Sequence, residues 1–179
     1  TRQTAGAQGG ISVKGTGGDA VCDTQGPSQT IRMANGNLDI QAGLGAAFIY
    51  FAQVSSSNPN ASQTISATNI SLSGGTQTDG KNAYIEATGG TQTITAPGGL
   101  SLTGGNANGP APNPDPNSID APALASASSG SATIISRLGQ QTISANALTL
   151  AGGAGGSENF ANIRGDAGQS ITVGAGGMT

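Results

Sequence analysis

The chain has 179 residues, which suits one domain, yet 31 of them are glycine and only 8% are charged. A net charge of −3 with six scattered basic residues excludes the electrostatic footprint of a nucleic-acid-binding protein. No apolar run is long enough for a transmembrane helix, so we expect no membrane insertion.

The phrase Gln-Thr-Ile recurs along the chain and predicts the first of three short strands in each repeat. A degenerate copy stands at residues 3–5, and the later copies begin at Gln29, Gln63, Gln92, Gln141 and, as Gln-Ser-Ile, at Gln169. A repeat that keeps the order of its phrases but varies in length is typical of a solenoid, in which each coil stacks on the last.

Two further phrases follow each glutamine in a fixed order. The second phrase occurs as Ile11-x-Val13, Leu38-x-Ile40, Ile70-x-Leu72, Leu100-x-Leu102 and Leu148-x-Leu150. The third occurs as Ala20-x-Cys22, Ala52-x-Val54, Ala83-x-Ile85, Ala132-x-Ile134 and Ala161-x-Ile163. Alternation of apolar and polar residues with period 2 predicts strands with one buried face, which places Cys22 in the core. Glycine pairs at 74–75, 104–105 and 152–153 predict corners that need a positive φ.

These phrases predict an all-β fold, a right-handed parallel β-helix (β-solenoid) with three short strands per coil. We expect residues 1–179 to form a single solenoid segment of a longer chain, with about 28 residues per coil and five coils plus a partial sixth. The predicted coils are approximately 3–28, 29–62, 63–91, 92–140, 141–168 and 169–179. Insertions are expected at 44–51 and 106–131, both on one side of the rod, and Met178 takes a leucine position as the chain stops in mid-strand.

The most regular polar residue is the glutamine of the first phrase. Gln63 has the parity of Ile65, so the column Gln29, Gln63, Gln92, Gln141 and Gln169 should be buried. Stacked amide side chains bond to one another in cross-β assemblies, and we therefore expect a structural ladder from coil to coil.

Partner contact is predicted on the outer face of the third strand. The chain has few aromatic residues, and the candidate contact residues there are Ile49, Phe51, Tyr84 and Phe160. Exposed apolar patches often mark interfaces. Partial burial of the same residues beneath the insertions is an equal alternative.

No arrangement of residues predicts chemistry. The nine acidic residues fall at different phases of the repeat, so we expect no catalytic site and no enzyme activity. The glycine-rich stretches lack the serial aspartates of calcium-binding repeats, and we expect neither metal nor cofactor. A polysaccharide-active β-helix enzyme stays open as an alternative. A second alternative is ice binding, because outward Thr-x-Thr pairs such as Thr93 and Thr95 resemble the ice-binding face of hyperactive antifreeze proteins.

The phrases SQTISATNISLSGG, TQTITAPGGLSLTGG and QQTISANALTLAGGAGG resemble the β-helical repeats of large bacterial exoproteins of the filamentous haemagglutinin type. The resemblance covers nearly the whole chain. It implies a secreted, cell-surface rod, exported by a two-partner pathway, that acts in adhesion, aggregation or biofilm. The implied partners are neighbouring coils or subunits of the same protein and host or bacterial surface glycans or proteins. A self-assembling extracellular fibre subunit is the nearest alternative.

Overall fold

The computed structural model describes residues 2–5, 10–15, 20–24, 28–43, 47–51, 61–75, 82–106, 130–154 and 159–179. Within these ranges every element is a β-strand and every strand pairing is parallel. Each strand pairs with its counterpart one coil away, which gives three stacks of paired strands. Two of these stacks are joined into one large sheet by long strands that turn a corner, and the third stack is a separate five-stranded sheet. The predicted all-β parallel solenoid with three strands per coil is confirmed.

Three strand stacks form the walls of the solenoid. The first sheet contains β1 (Arg2–Ala5), β4 (Ser28–Met33), β7 (Ser62–Ser66), β10 (Thr91–Ala96) and the first halves of β13 (Gln141–Ala151) and β15 (Gln169–Met178). The second contains β2 (Ile11–Gly15), β5 (Asn37–Ala42), β8 (Asn69–Ser73), β11 (Gly99–Thr103) and the second halves of β13 and β15. The third contains β3 (Ala20–Thr24), β6 (Ala47–Phe51), β9 (Ala83–Ala87), β12 (Ala132–Ser136) and β14 (Ala161–Gly165).

The core consists of apolar columns that run along the solenoid. Ile31, Ile65, Ile94 and Ile143 pair in register in the first sheet, and each is at most 1% exposed. The second sheet contributes the columns that contain Leu38 and Ile40, and the third contributes the Ala83 and Ile85 columns. Cys22 packs against this cluster, as its position in the repeat predicted. Stacking identical residues keeps each column filled without long side chains, and burial of apolar area stabilises the fold.

The first coil differs from its predicted alignment. Gln3 pairs with Ile31 rather than with Gln29, so the degenerate phrase at residues 3–5 is two positions out of register. Residues 3–5 resemble the repeat only in Gln3 and Thr4, and two matching residues do not fix the register of a strand.

The second coil corrects a predicted insertion. Ala47–Phe51 is strand β6, in register with β9, whereas the sequence placed the third strand at Ala52-x-Val54 and an insertion at 44–51. Ala47-x-Ile49 therefore occupies the Ala-x-Ile position, and residues 52–60 lie outside the described residues. The extra length of this coil follows the third strand, whereas the stretch at 106–131 precedes the third strand of its own coil. The prediction that both insertions leave the same side is wrong.

The glycine pairs serve close packing rather than a positive φ. Among the described glycines only Gly90, Gly168 and Gly177 have φ in the left-handed region. A Cβ at Gly105 would overlap the carbonyl of Gly75 in the neighbouring coil, and one at Gly153 would overlap that of Gly105. The expected reason for these pairs was wrong: at Gly105 and Gly153 the backbones of successive coils approach too closely for any side chain.

Candidate interaction surfaces

The glutamines form a ladder of side-chain hydrogen bonds. Nε2 of Gln63 donates to Oε1 of Gln29 at 2.7 Å, Nε2 of Gln92 to Oε1 of Gln63 at 2.7 Å, and Nε2 of Gln141 to Oε1 of Gln92 at 2.6 Å. Nε2 of Gln169 donates to Oε1 of Gln141 in the same way. Gln29, Gln63, Gln92 and Gln141 are buried, as predicted, whereas Gln169 is exposed, so the prediction of a fully buried column is wrong at its last member. The ladder thus runs through the part of the coil stack where a polar group most needs a partner.

Each buried ladder amide also reaches the third sheet. Nε2 also donates to a backbone carbonyl of the third sheet: Gln63 to Glu86 at 3.2 Å, Gln92 to Ile135 at 3.1 Å and Gln141 to Arg164 at 3.2 Å. Both amide hydrogens and the amide oxygen of Gln92 therefore have partners. One side chain bonds to the coil on either side and joins two walls of its own coil.

The outer face of the third sheet is buried at β9 and β12, where all five residues of each strand are buried. Tyr84 is 2% exposed, and its hydroxyl hydrogen-bonds with Ser131 and Asn82. Oδ1 of Asn82 accepts from both N and Oγ of Ser131, each at 2.8 Å. Burial raises the pKa of the Tyr84 hydroxyl above its ordinary value, so this hydroxyl stays protonated and serves as a hydrogen-bonding group.

Two ion pairs lie near the corner that follows the third strand. Nε of Arg137 donates to Oε1 of Glu86 at 2.6 Å, with side-chain exposures of 12% and 8%. In the next coil Arg164 pairs with Asp166, and both side chains are more exposed. In this low-charge chain the carboxylate of Glu86 is bound by a guanidinium, an arrangement that fits a structural role better than proton transfer.

One buried hydroxyl on the same face has no partner among the described residues. Thr133 is 1% exposed, and its Oγ1 makes no hydrogen bond within those ranges. Its Cα is in register with Tyr84 on one side and Asn162 on the other. A buried hydroxyl without a partner costs free energy, so Thr133 is a point of weakness in the fold.

The predicted contact residues do not form one exposed patch. Tyr84 is buried, which contradicts its expected exposure. Ile49 and Phe51 were predicted on the outer face, but they are in register with Ile85 and Ala87, which belong to the core. Phe48 and Tyr50 are in register with Tyr84 and Glu86. The side chains of β6 lie outside the described residues. Phe160, directly before β14, is 39% exposed.

The outer face of the first sheet carries a regular array of hydroxyl groups. We define the hydroxyl face as the ten residues Ser62, Thr64, Ser66, Thr91, Thr93, Thr95, Thr142, Ser144, Ser170 and Thr172. Their positions pair in register across β7, β10, β13 and β15. The residues are half-buried or exposed.

A depression of about 340 Å³ lies between the first two coils, with Ser12, Asn35, Asn37 and Asp39 in its lining. Asp39 accepts a hydrogen bond from Ser71, and Oδ1 of Asn37 accepts from Asn69 at 3.0 Å. Two of the polar side chains that line it are thus already engaged with the next coil.

Among the described residues no group of three or more His, Cys, Asp or Glu side chains is placed to hold a metal ion. The same ranges hold no helix of the length and apolarity that crossing a bilayer requires. Comparisons with protein-family models, with curated proteins and with solved structures found no match.

The sequence did not reveal the Glu86–Arg137 pair or the Asn82–Ser131 contact. Each pair joins adjacent coils and spans about 50 residues of chain, across the longest coil. Writing the residues beside each third phrase into the alignment would have placed Asn82 next to Ser131, because both directly precede an Ala-x-Ile phrase. The pairing was therefore available from the repeat, whereas the burial of the cluster was not.

Proposed function

We propose that the chain is a structural segment of an extracellular bacterial surface rod or filament, which acts in adhesion, aggregation or the biofilm matrix. The support is the resemblance of its repeat phrases to haemagglutinin-type exoproteins, together with a fold that suits such a rod. The observation that carries the proposal is the glutamine ladder, in which one residue type connects five successive coils through the interior.

The ladder suits a mechanical role. The coils that begin at Gln29, Gln63, Gln92 and Gln141 are bonded to one another through three stacks of paired strands and through the ladder, so local opening of an inner coil breaks bonds on both sides. A stack built in this way keeps its exposed groups at fixed positions along its length.

Phe160 is the described residue best suited to partner contact. It is 39% exposed and lies directly before β14, whose five residues are half-buried. A partly exposed aromatic ring beside a rigid sheet provides apolar area at low entropic cost when it binds a glycan or a protein surface.

The test displays the chain on beads and on the surface of a non-aggregating bacterium. We expect clumping of beads and cells, and attachment to glycan-coated or protein-coated surfaces, beyond the level given by an unrelated protein of equal density. Phe160→Asp should reduce this attachment, whereas Leu138→Asp is the matched control, because Leu138 is a more exposed apolar residue at another corner. Wild-type beads that neither clump nor attach above the unrelated protein would refute the proposed function.

A further inference from the structure

The hydroxyl face is a two-dimensional lattice. The strands of the first sheet stack in register, so each column of hydroxyl residues repeats at the strand spacing of about 4.8 Å. Alternate residues of one strand, such as Thr93 and Thr95, lie about 6.6 Å apart along the strand. The lattice extends over four strands and, in β7 and β10, over three residues of each strand.

The chemistry of the lattice is uniform. All ten residues are Ser or Thr, so the face presents no charge and no aromatic ring. A hydroxyl group donates one hydrogen bond and accepts two, which allows it to take the place of a water molecule in a tetrahedral network. Six of the ten lattice residues are threonine, which is stiff at χ1 and carries a methyl group beside its hydroxyl. The threonine groups are therefore ordered before any ligand arrives, which lowers the entropic cost of binding.

A ligand for this face must be flat, uncharged and periodic. Anionic ligands need basic side chains, and the nearest one in the sheet is Arg32, which pairs in register with Ser66 at the margin. Sugar rings are commonly held by stacking on aromatic side chains, and the ten residues include none. Ordered water satisfies all three conditions, because a crystal face of ice is flat, uncharged and periodic.

We propose that the hydroxyl face binds the surface of ice. The bound ligand is a layer of ordered water, hydrogen-bonded to the hydroxyl groups and held in place over the methyl groups. This activity does not depend on the proposed function, since it uses the first sheet and requires neither Phe160 nor a protein or glycan partner.

The test measures partition of the fluorescently labelled chain into a slowly growing ice hemisphere, together with thermal hysteresis. We expect wild-type protein to enter the ice, and Thr93→Tyr to be lost from it to the level of labelled lysozyme, because a tyrosine in the middle of the lattice lifts the face off a flat ligand. Ser101→Tyr is the matched control: Ser101 is a half-buried residue of the second sheet, outside the hydroxyl face, and this variant should enter the ice as wild type does.

A second variant, Thr142→Tyr, alters an exposed member of the same lattice. Far-UV circular dichroism and the melting temperature establish whether each variant is folded. Exclusion of the folded wild-type chain from ice would overturn the proposal, and so would entry of both folded lattice variants at the wild-type level. Retention on crystalline cellulose or chitin without entry into ice would also overturn it, in favour of a polysaccharide ligand. Failure of the bead assay with entry into ice would reject only the adhesive function.

Discussion

Replacement of Gln92 by leucine tests the glutamine ladder at its most enclosed member. The side chain of Gln92 donates to Gln63 and to the carbonyl of Ile135, and it accepts from Gln141. Leucine has a similar volume and suits a strand, so the perturbation removes the three hydrogen bonds without opening a large cavity.

The expected cost follows from the partners that remain. Three buried groups each lose a bond, and a buried group left unsatisfied costs about 1–3 kcal/mol. Burial of the added apolar surface recovers on the order of 2 kcal/mol. We therefore expect Gln92→Leu to lower the free energy of unfolding by about 1–7 kcal/mol, against the roughly 5–15 kcal/mol that a domain has.

Urea unfolding monitored by far-UV circular dichroism gives this free energy by linear extrapolation. The matched control is Thr93→Val, the adjacent residue on the outer face, which should change the free energy by no more than about 0.5 kcal/mol. The double variant Gln63→Leu/Gln92→Leu should cost less than the sum of the single variants, because both remove the same bond. A loss below about 1 kcal/mol for Gln92→Leu, or strict additivity in the double variant, would refute a cooperative ladder.

Three further substitutions test other features of the fold. Gly105→Ala should lower the free energy of unfolding by about 2 kcal/mol or more in the same urea assay, because its methyl group would overlap a carbonyl of the neighbouring coil. The control Gly99→Ala, where there is room for a methyl group, should change this free energy little. Equal effects of the two substitutions would contradict the close-packing explanation. Thr133→Val should raise the free energy of unfolding by about 1 kcal/mol, and a loss instead would mean that its hydroxyl has a partner. Arg137→Met should cost about 3 kcal/mol by leaving Glu86 buried and unpaired, and adding Glu86→Gln should recover much of this; the absence of recovery would show that packing rather than charge is responsible.

The fold could be predicted from the sequence because its core positions repeat. Gln92 and Gln141, Leu100 and Leu148, and Ala83 and Ala132 are in register in the structure, as the phrases aligned them. Because the same residue type recurs at the same position in each coil, the repeated phrases specify the register of the strands from the sequence alone.

The prediction failed where redundancy was absent. Residues 46–52 are apolar without interruption, so period 2 gives no parity, and the Ala-x-Ile-like pattern fits Ala52 as well as Ala47. In the structure Ala47, Ile49 and Phe51 pair with Ala83, Ile85 and Ala87. Comparison of all five residues of the strand, rather than of the Ala-x-Ile phrase alone, would have favoured β6. At residues 3–5 the phrase was too short to align.

The candidate surfaces were harder to predict than the core. Alternation identifies which side of a strand faces away from the axis, but it does not say whether that side is exposed. Tyr84 and Thr133 have outward parity and are buried nonetheless. Parity did identify the hydroxyl face, because its array depends only on the register of the first sheet.

The central claim is that the coils stack in register through one interior ladder of glutamine side chains. Nuclear Overhauser contacts between these side chains test it most directly. With selectively labelled glutamine, the account predicts cross-peaks from the Nε2 protons of Gln92 to the side chains of Gln63 and Gln141, together with slow exchange of these protons with water. Rapidly exchanging amides, with contacts confined to residues of their own coil, would contradict it.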